Sequence, residues 1–245
     1  MLTSVENIVF TTTLVLSLFI ALTSAQNAPT ASPFDKLAEH FFFKCQNRTK
    51  TTVAFDKLYA DSVEFKTDLQ YAFSFIPTKK STFCDSQKRQ LENRLVEISN
   101  DLKPCLAPQE QYLANFIRES SKEFLHFLCH KNGENIDEFF HPRSAACRSA
   151  LETDGSTEIG VCFSRIFKPA SGTPSKKELC EDLTTAKKCF AEVLNQRCPT
   201  YTAYKILNED FFKYVSKPCS GCTFFLNTLM LVASVMVSYF SKKLL

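Results

Sequence analysis

Eleven cysteines run through a chain that opens on an apolar leader, and this pairing constrains the fold more than any other feature. The stretch from Ile8 to Leu22 is almost wholly apolar and is followed by the small residues Thr23-Ser24-Ala25. That pattern predicts a signal peptide over residues 1–25, with the mature chain beginning at Gln26. Glu6, where a leader usually carries a basic residue, leaves an uncleaved anchor as the alternative. An exported chain folds in an oxidising compartment, so its thiols are expected in disulfides and not as metal ligands. Eleven is an odd number, so one thiol is left over.

The second hydrophobic run, from Thr223 to Phe240, follows Ser220-Gly221-Cys222 and precedes Lys242 and Lys243. Residues 220–245 therefore read either as a glycosylphosphatidylinositol (GPI) signal or as a spanning helix. In the first case Ser220 and Gly221 are the anchor candidates. In the second, Lys242 and Lys243 sit on the cytoplasmic side. The near absence of a polar spacer and the terminal lysines weigh against GPI, and the lysines resemble a signal for retrieval to the early secretory pathway. The interspersed Asn227, Thr228, Ser234 and Ser238 weigh against a permanent span. A third reading buries the run in the protein core. Either membrane reading makes the membrane a partner and places the protein at the cell surface or retained early in the pathway.

Between the ends, residues 26–33 read as a disordered lead-in and 34–219 as one helical, cysteine-rich domain. The chain has 5 Gly, 24 Phe and no Trp, a composition that favours helices. Helical spacing predicts elements at Phe34–Lys44, Thr52–Phe75, Asp85–Leu102, Pro108–Cys129 and Thr202–Val215. Shorter ones are expected at Ile136–Phe140, Ser144–Leu151 and Glu158–Phe167. Ser175 and Glu178 form a capping box opening a helix that runs to about Arg197, after a linker at 168–175. The inward face of the second helix is read as Leu58, Tyr59, Val63, Leu69 and Phe73. No stretch alternates as a strand would. The fold class expected is an all-α, disulfide-stapled bundle of roughly six to eight helices.

Cys180, Cys189 and Cys198 recur every nine residues. On one helix that spacing is about 13.5 Å, whereas bridged Cα atoms lie at most about 7 Å apart. Each must therefore reach another segment, though which one is not fixed by spacing. The sequon Asn47-Arg48-Thr49 makes Asn47 the candidate glycosylation site.

Part of the chain, from Asn93 to Cys219, resembles the insect 27 kDa haemolymph glycoprotein family. The likeness is carried by Leu102-Lys103-Pro104-Cys105 and by Cys129-His130-Lys131-Asn132-Gly133-Glu134-Asn135-Ile136, which has the family's Cys-x-Lys-x-Gly-x-x-Ile form. Cys147, Cys162, Cys180-Glu181-Asp182-Leu183, Cys189, Cys198-Pro199-Thr200 and Pro218-Cys219 complete it. The resemblance implies a secreted, glycosylated, disulfide-bonded protein with no assigned activity. The cysteine ladder it accounts for ends at Cys219. With Cys45 and Cys84 it makes ten disulfide candidates, namely Cys45, Cys84, Cys105, Cys129, Cys147, Cys162, Cys180, Cys189, Cys198 and Cys219, and leaves Cys222 as the surplus thiol. The apolar tail departs from the soluble form of that family.

No catalytic, cofactor or metal motif stands out. His126 and His130 are four apart on a helix and could share a metal. Cys219-Ser220-Gly221-Cys222 has redox-pair spacing without the strand and helix such a pair needs. Glu134, Asp137 and Glu138 cluster near a turn and read as a solvated face. A net charge of +3 and a pI near 8.2 give no basic stripe for nucleic acid. The function expected is a non-enzymatic, membrane-tethered extracellular protein that binds a protein partner or a small apolar ligand. A secreted hydrolase or toxin-like enzyme and a structural extracellular protein are the alternatives.

Overall fold

A computed structural model of the chain describes residues 33–76, 78–151, 156–164, 166 and 172–222. The leader, the lead-in up to residue 32, the first part of the 168–175 linker and the apolar run from 223 onward lie outside the described residues.

Helix α1 spans Pro33–Thr49, with proline in the first turn where its missing N–H costs nothing. Phe41 and Cys45, one turn apart, are buried. Helix α2 spans Val53–Phe73. Its inward stripe is Leu58, Ser62, Phe65, Leu69 and Phe73, not the stripe expected through Val63, which faces solvent. Ser62 can be buried because its hydroxyl donates to the Leu58 carbonyl at 2.6 Å, so no polar group is left unmet.

Lys80–Thr82 begins a helical rod that passes through a π-turn at Phe83–Gln87 and continues as α3, Lys88–Leu102. The helix thus starts earlier than Asp85. Ser81, Thr82 and Cys84 are poor helix formers. Two tertiary anchors hold them in place: fully buried Phe83 beside Phe73, ring centroids 5.7 Å apart, and the bridge at Cys84. Leu91, Leu95, Ile98 and Leu102 form the inward face of α3, as their spacing predicts.

Pro108 opens a separate 3₁₀ turn, Pro108–Glu110, and helix α4 follows at Tyr112–Leu128. The Glu110 carboxylate accepts from the Ala107 amide at 2.8 Å and from Lys44 at 2.5 Å, which pins this corner to α1. Short helices α5 (Glu134–Phe140), α6 (Ala145–Ala150) and α7 (Ser156–Ser164) come next. Helix α8 (Lys176–Arg197) begins with the expected capping box: the Glu178 amide donates to Ser175 Oγ, and the Ser175 amide donates to the Glu178 carboxylate. Helix α9 covers Thr202–Val215 and a 3₁₀ segment covers Lys217–Cys222.

The helices pack in succession, α2 on α3, α3 on α4, α4 on α9, α9 on α8 and α8 on α7. The result is a single all-α domain with no strand among the described residues. One carbonyl, that of Phe139, gathers Tyr204 Oη at 3.0 Å, Ser144 Oγ at 2.8 Å and an Arg148 guanidinium nitrogen at 3.1 Å, so α5, α6 and α9 meet there.

Five disulfides staple this arrangement: Cys45–Cys105, Cys84–Cys129, Cys147–Cys198, Cys162–Cys189 and Cys180–Cys219. The three cysteines of α8 and its cap each reach a different segment, as helical rise requires. None of the five joins a cysteine up to position 129 with one from 147 onward. The two halves meet instead through side chains. Phe211 of α9 lies edge-on to Phe124 and Phe127 of α4, at centroid distances of 5.9 and 5.8 Å, and Tyr214 lies against Phe127 at 5.9 Å. Such edge-to-face pairs add to the area they bury.

Candidate functional site

The chemistry that the sequence singles out converges where α4 ends. Cys129 caps that helix and is bridged to Cys84 in the π-turn. The next residues turn the chain with an unusual backbone. Lys131, Asn132 and Gly133 all adopt positive φ, at 45°, 59° and 83°. The first two carry a Cβ, so each stores strain that only surrounding structure can hold. Gly133 is needed here for its backbone. A Cβ added to it would also come within 3.2 Å of the Lys80 side chain. Ile136 is buried beneath the turn, and the Asn135 side-chain amide donates to the Phe127 carbonyl at 2.8 Å, meeting one of the open carbonyls at the end of α4. The Cys-x-Lys-x-Gly-x-x-Ile element is thus a locked left-handed knuckle that holds Lys131 and Asn132 exposed.

The two histidines considered as a metal pair face different partners. His126 Nε2 lies 3.2 Å from Glu92 of α3 and its Nδ1 lies 3.9 Å from Glu123. His130 Nδ1 lies 2.9 Å from the Tyr214 hydroxyl. Among the described residues no group of three or more His, Cys, Asp or Glu could hold a metal ion. Around His126 a chain of charges crosses the surface. Lys88 pairs with Glu92 at 3.7 Å, and Glu123 pairs with Lys217, whose ammonium sits 4.4 Å above the Tyr214 ring.

The acidic residues of the turn also disperse. Glu134 pairs with Lys131 at 3.2 Å, Asp137 with Lys80, and Glu138 accepts from Tyr201 Oη at 2.6 Å. Cys219 is bridged to Cys180 and does not pair with Cys222. Ser220 is exposed in the closing 3₁₀ segment, with Gly221 beside it. Asn47 is exposed in the last turn of α1.

One arrangement escaped sequence reasoning. Asp61 of α2 and Asp101 of α3 bring their carboxyls together, with Lys57 against both. Burial, then the Asp61 carboxyl, push Asp101 up, while the hydrogen bond from Asp101 holds Asp61 down. Only the i, i+4 spacing of Lys57 and Asp61 was visible in the sequence, and it says nothing of Asp101 on another helix. No helix among the described residues is long and apolar enough to cross a membrane, and the apolar run 223–240 lies outside them.

These features define a disulfide-stapled, all-helical domain whose distinctive surface element is a rigid turn. The chain belongs to the family described as protein of unknown function DUF1397, whose model matches residues 39–222. No curated protein and no solved structure matches the chain.

Proposed function

We propose that the protein is a non-enzymatic extracellular binding protein that offers the 130–134 knuckle to a protein partner, in the manner of a haemolymph-type glycoprotein. The carrying observation is the run of three left-handed residues held between the Cys84–Cys129 bridge and buried Ile136. Strain of this kind persists where a rigid presentation has a use. Five bridges support an oxidising, extracellular setting. The protein-partner version is preferred to an apolar small ligand because the phenylalanines pack on one another, as at Phe73–Phe83 and Phe124–Phe211.

The test is site-specific photocrosslinking on producing cells, with the reactive group at Lys131 or, as control, at exposed Val96. A discrete protein adduct from position 131 alone supports the reading. Equal adducts from both positions, or none from either, sink it. Native mass spectrometry of the purified protein tests the apolar-ligand alternative by looking for co-purified lipid.

The tail, in this proposal, tethers the domain through residues 220–245. Ser220 or Gly221 carries a GPI anchor if the tail is cleaved. If it is kept, the tail spans the membrane. Release by phosphatidylinositol-specific phospholipase distinguishes the two, and intact mass shows whether Cys222 leaves with the tail.

A further inference from the structure

On α1, Phe43 and Asn47 are one turn apart and therefore share a face of the helix. Helical side chains lean toward the N-terminus, which tilts Asn47 over the position of Phe43. Both are exposed, and Phe43 leaves 51% of its surface open. It is not an isolated ring. Phe43 lies edge-on to Phe42 at 5.4 Å, Phe42 lies edge-on to Phe55 of α2 at 5.2 Å, and Phe55 stacks on Tyr59 at 6.0 Å. Val53, at the start of α2, is 70% exposed. Phe42, Phe55 and Tyr59 are half-buried, so Phe43 is the open end of this row and presents its ring to whatever lies over α1.

We infer that the N-linked glycan on Asn47 is the cover: its first sugar residues lie along α1 with an apolar C–H face on the Phe43 ring. The inference rests on the extracellular reading, which supplies the glycan, and on the sequon Asn47-Arg48-Thr49. A pyranose ring carries axial C–H bonds on one face. The negative face of an aromatic ring attracts those polarised hydrogens, while the sugar hydroxyls stay in water. The glycan thus performs two tasks, shielding Phe43 from self-association and bracing the C-terminal turn of α1 beside Cys45.

The test uses the full chain made in cultured secretory cells. Loss of the glycosidase-induced gel shift in Asn47→Gln, with a shift in the parent, shows that the site is occupied. No shift in the parent removes both the glycan and the inference. With the site occupied, the parent and Phe43→Ser are each compared fully glycosylated, trimmed to one sugar, and stripped. The expected result in the parent is a rise of about twofold in binding of a hydrophobic dye and a fall in Tm of about 2–4 °C on stripping. Trimming to one sugar preserves most of both values. In Phe43→Ser, stripping changes neither. Equal losses in parent and Phe43→Ser, or no change in the parent, overturn the inference while leaving the glycosylation reading intact.

Discussion

The Tyr214 hydroxyl lies 2.9 Å from His130 Nδ1, joining the C-terminal half of the domain to the turn that closes the N-terminal half. The same aromatic ring carries Lys217 on its face and packs against Phe127. No disulfide crosses this seam among the described residues, so side-chain contacts hold its faces together.

Tyr214→Phe removes the hydrogen bond and keeps the ring. We expect a loss of about 1 kcal/mol in denaturant unfolding. Phe127→Ala takes away the buried ring that Phe211 and Tyr214 pack against, and the loss should reach about 3 kcal/mol. If Tyr214→Phe cost as much as Phe127→Ala, the seam would be held by the polar contact and our account of it would fail.

Bridge topology predicts the products of limited proteolysis. Lys131 and Arg143 lie between Cys129 and Cys147, where no bridge spans the chain. A tryptic cut there should give two separate fragments on a denaturing, non-reducing gel. A cut after Lys88 or Lys188 falls inside closed loops and should leave one covalent product. A cut at Lys131 that leaves the chain in one covalent piece would contradict the pairing.

The knuckle makes opposite predictions at neighbouring positions. Gly133→Ala places a Cβ on a left-handed residue and should destabilise by about 1–2 kcal/mol. Lys131→Gly relieves the same strain and should stabilise by about 0.5–1 kcal/mol, even though it deletes the ion pair to Glu134. Thermal unfolding of both variants checks the signs, and a destabilised Lys131→Gly would mean that the turn is not strained.

Glu110 sets an acid-side stability term. Burial alone would raise its carboxyl, yet the bonds from Lys44 and the Ala107 amide hold it below the ordinary value of 4.5. The folded state therefore binds the proton less readily than the unfolded chain. The stabilisation is present above the ordinary carboxylate range and is lost as pH falls through and below it. Lys44→Met should flatten the stability profile between neutral and acid pH, and an unchanged slope would remove Glu110 from the account.

Much of this fold is visible in local pattern. Ser175 and Glu178 announce α8 because a capping box is decided within four residues, and Leu91, Leu95, Ile98 and Leu102 mark α3 by spacing alone. Patterns fail where a tertiary partner meets a polar group. Ser62 reads as outward, yet it is buried by bonding back to Leu58, and this shifts the stripe of α2 away from Val63. Ser99 is likewise buried, donating to the Ala114 carbonyl at 3.0 Å between α3 and α4. The π-turn at Phe83–Gln87 and the contact of Asp61 with Asp101 depend on residues distant in sequence. The knuckle lay in a motif that the family resemblance picked out, but its left-handed run was not part of that reading. Asn132-Gly133 hints at positive φ, because both residue types visit the left-handed region, whereas nothing about Lys131 does.

The Cys180–Cys219 bridge gives the domain a defined mechanical path. A pull applied beyond Cys219 passes through that bridge into α8 and from there through Cys189 and Cys198 into α7 and α6. Helix α9 lies between the two ends of the covalent shortcut and carries none of the tension. A pull on the residues after Cys219 is therefore borne by α8 and the bridges behind it, and the last helix is not the first element to be peeled away.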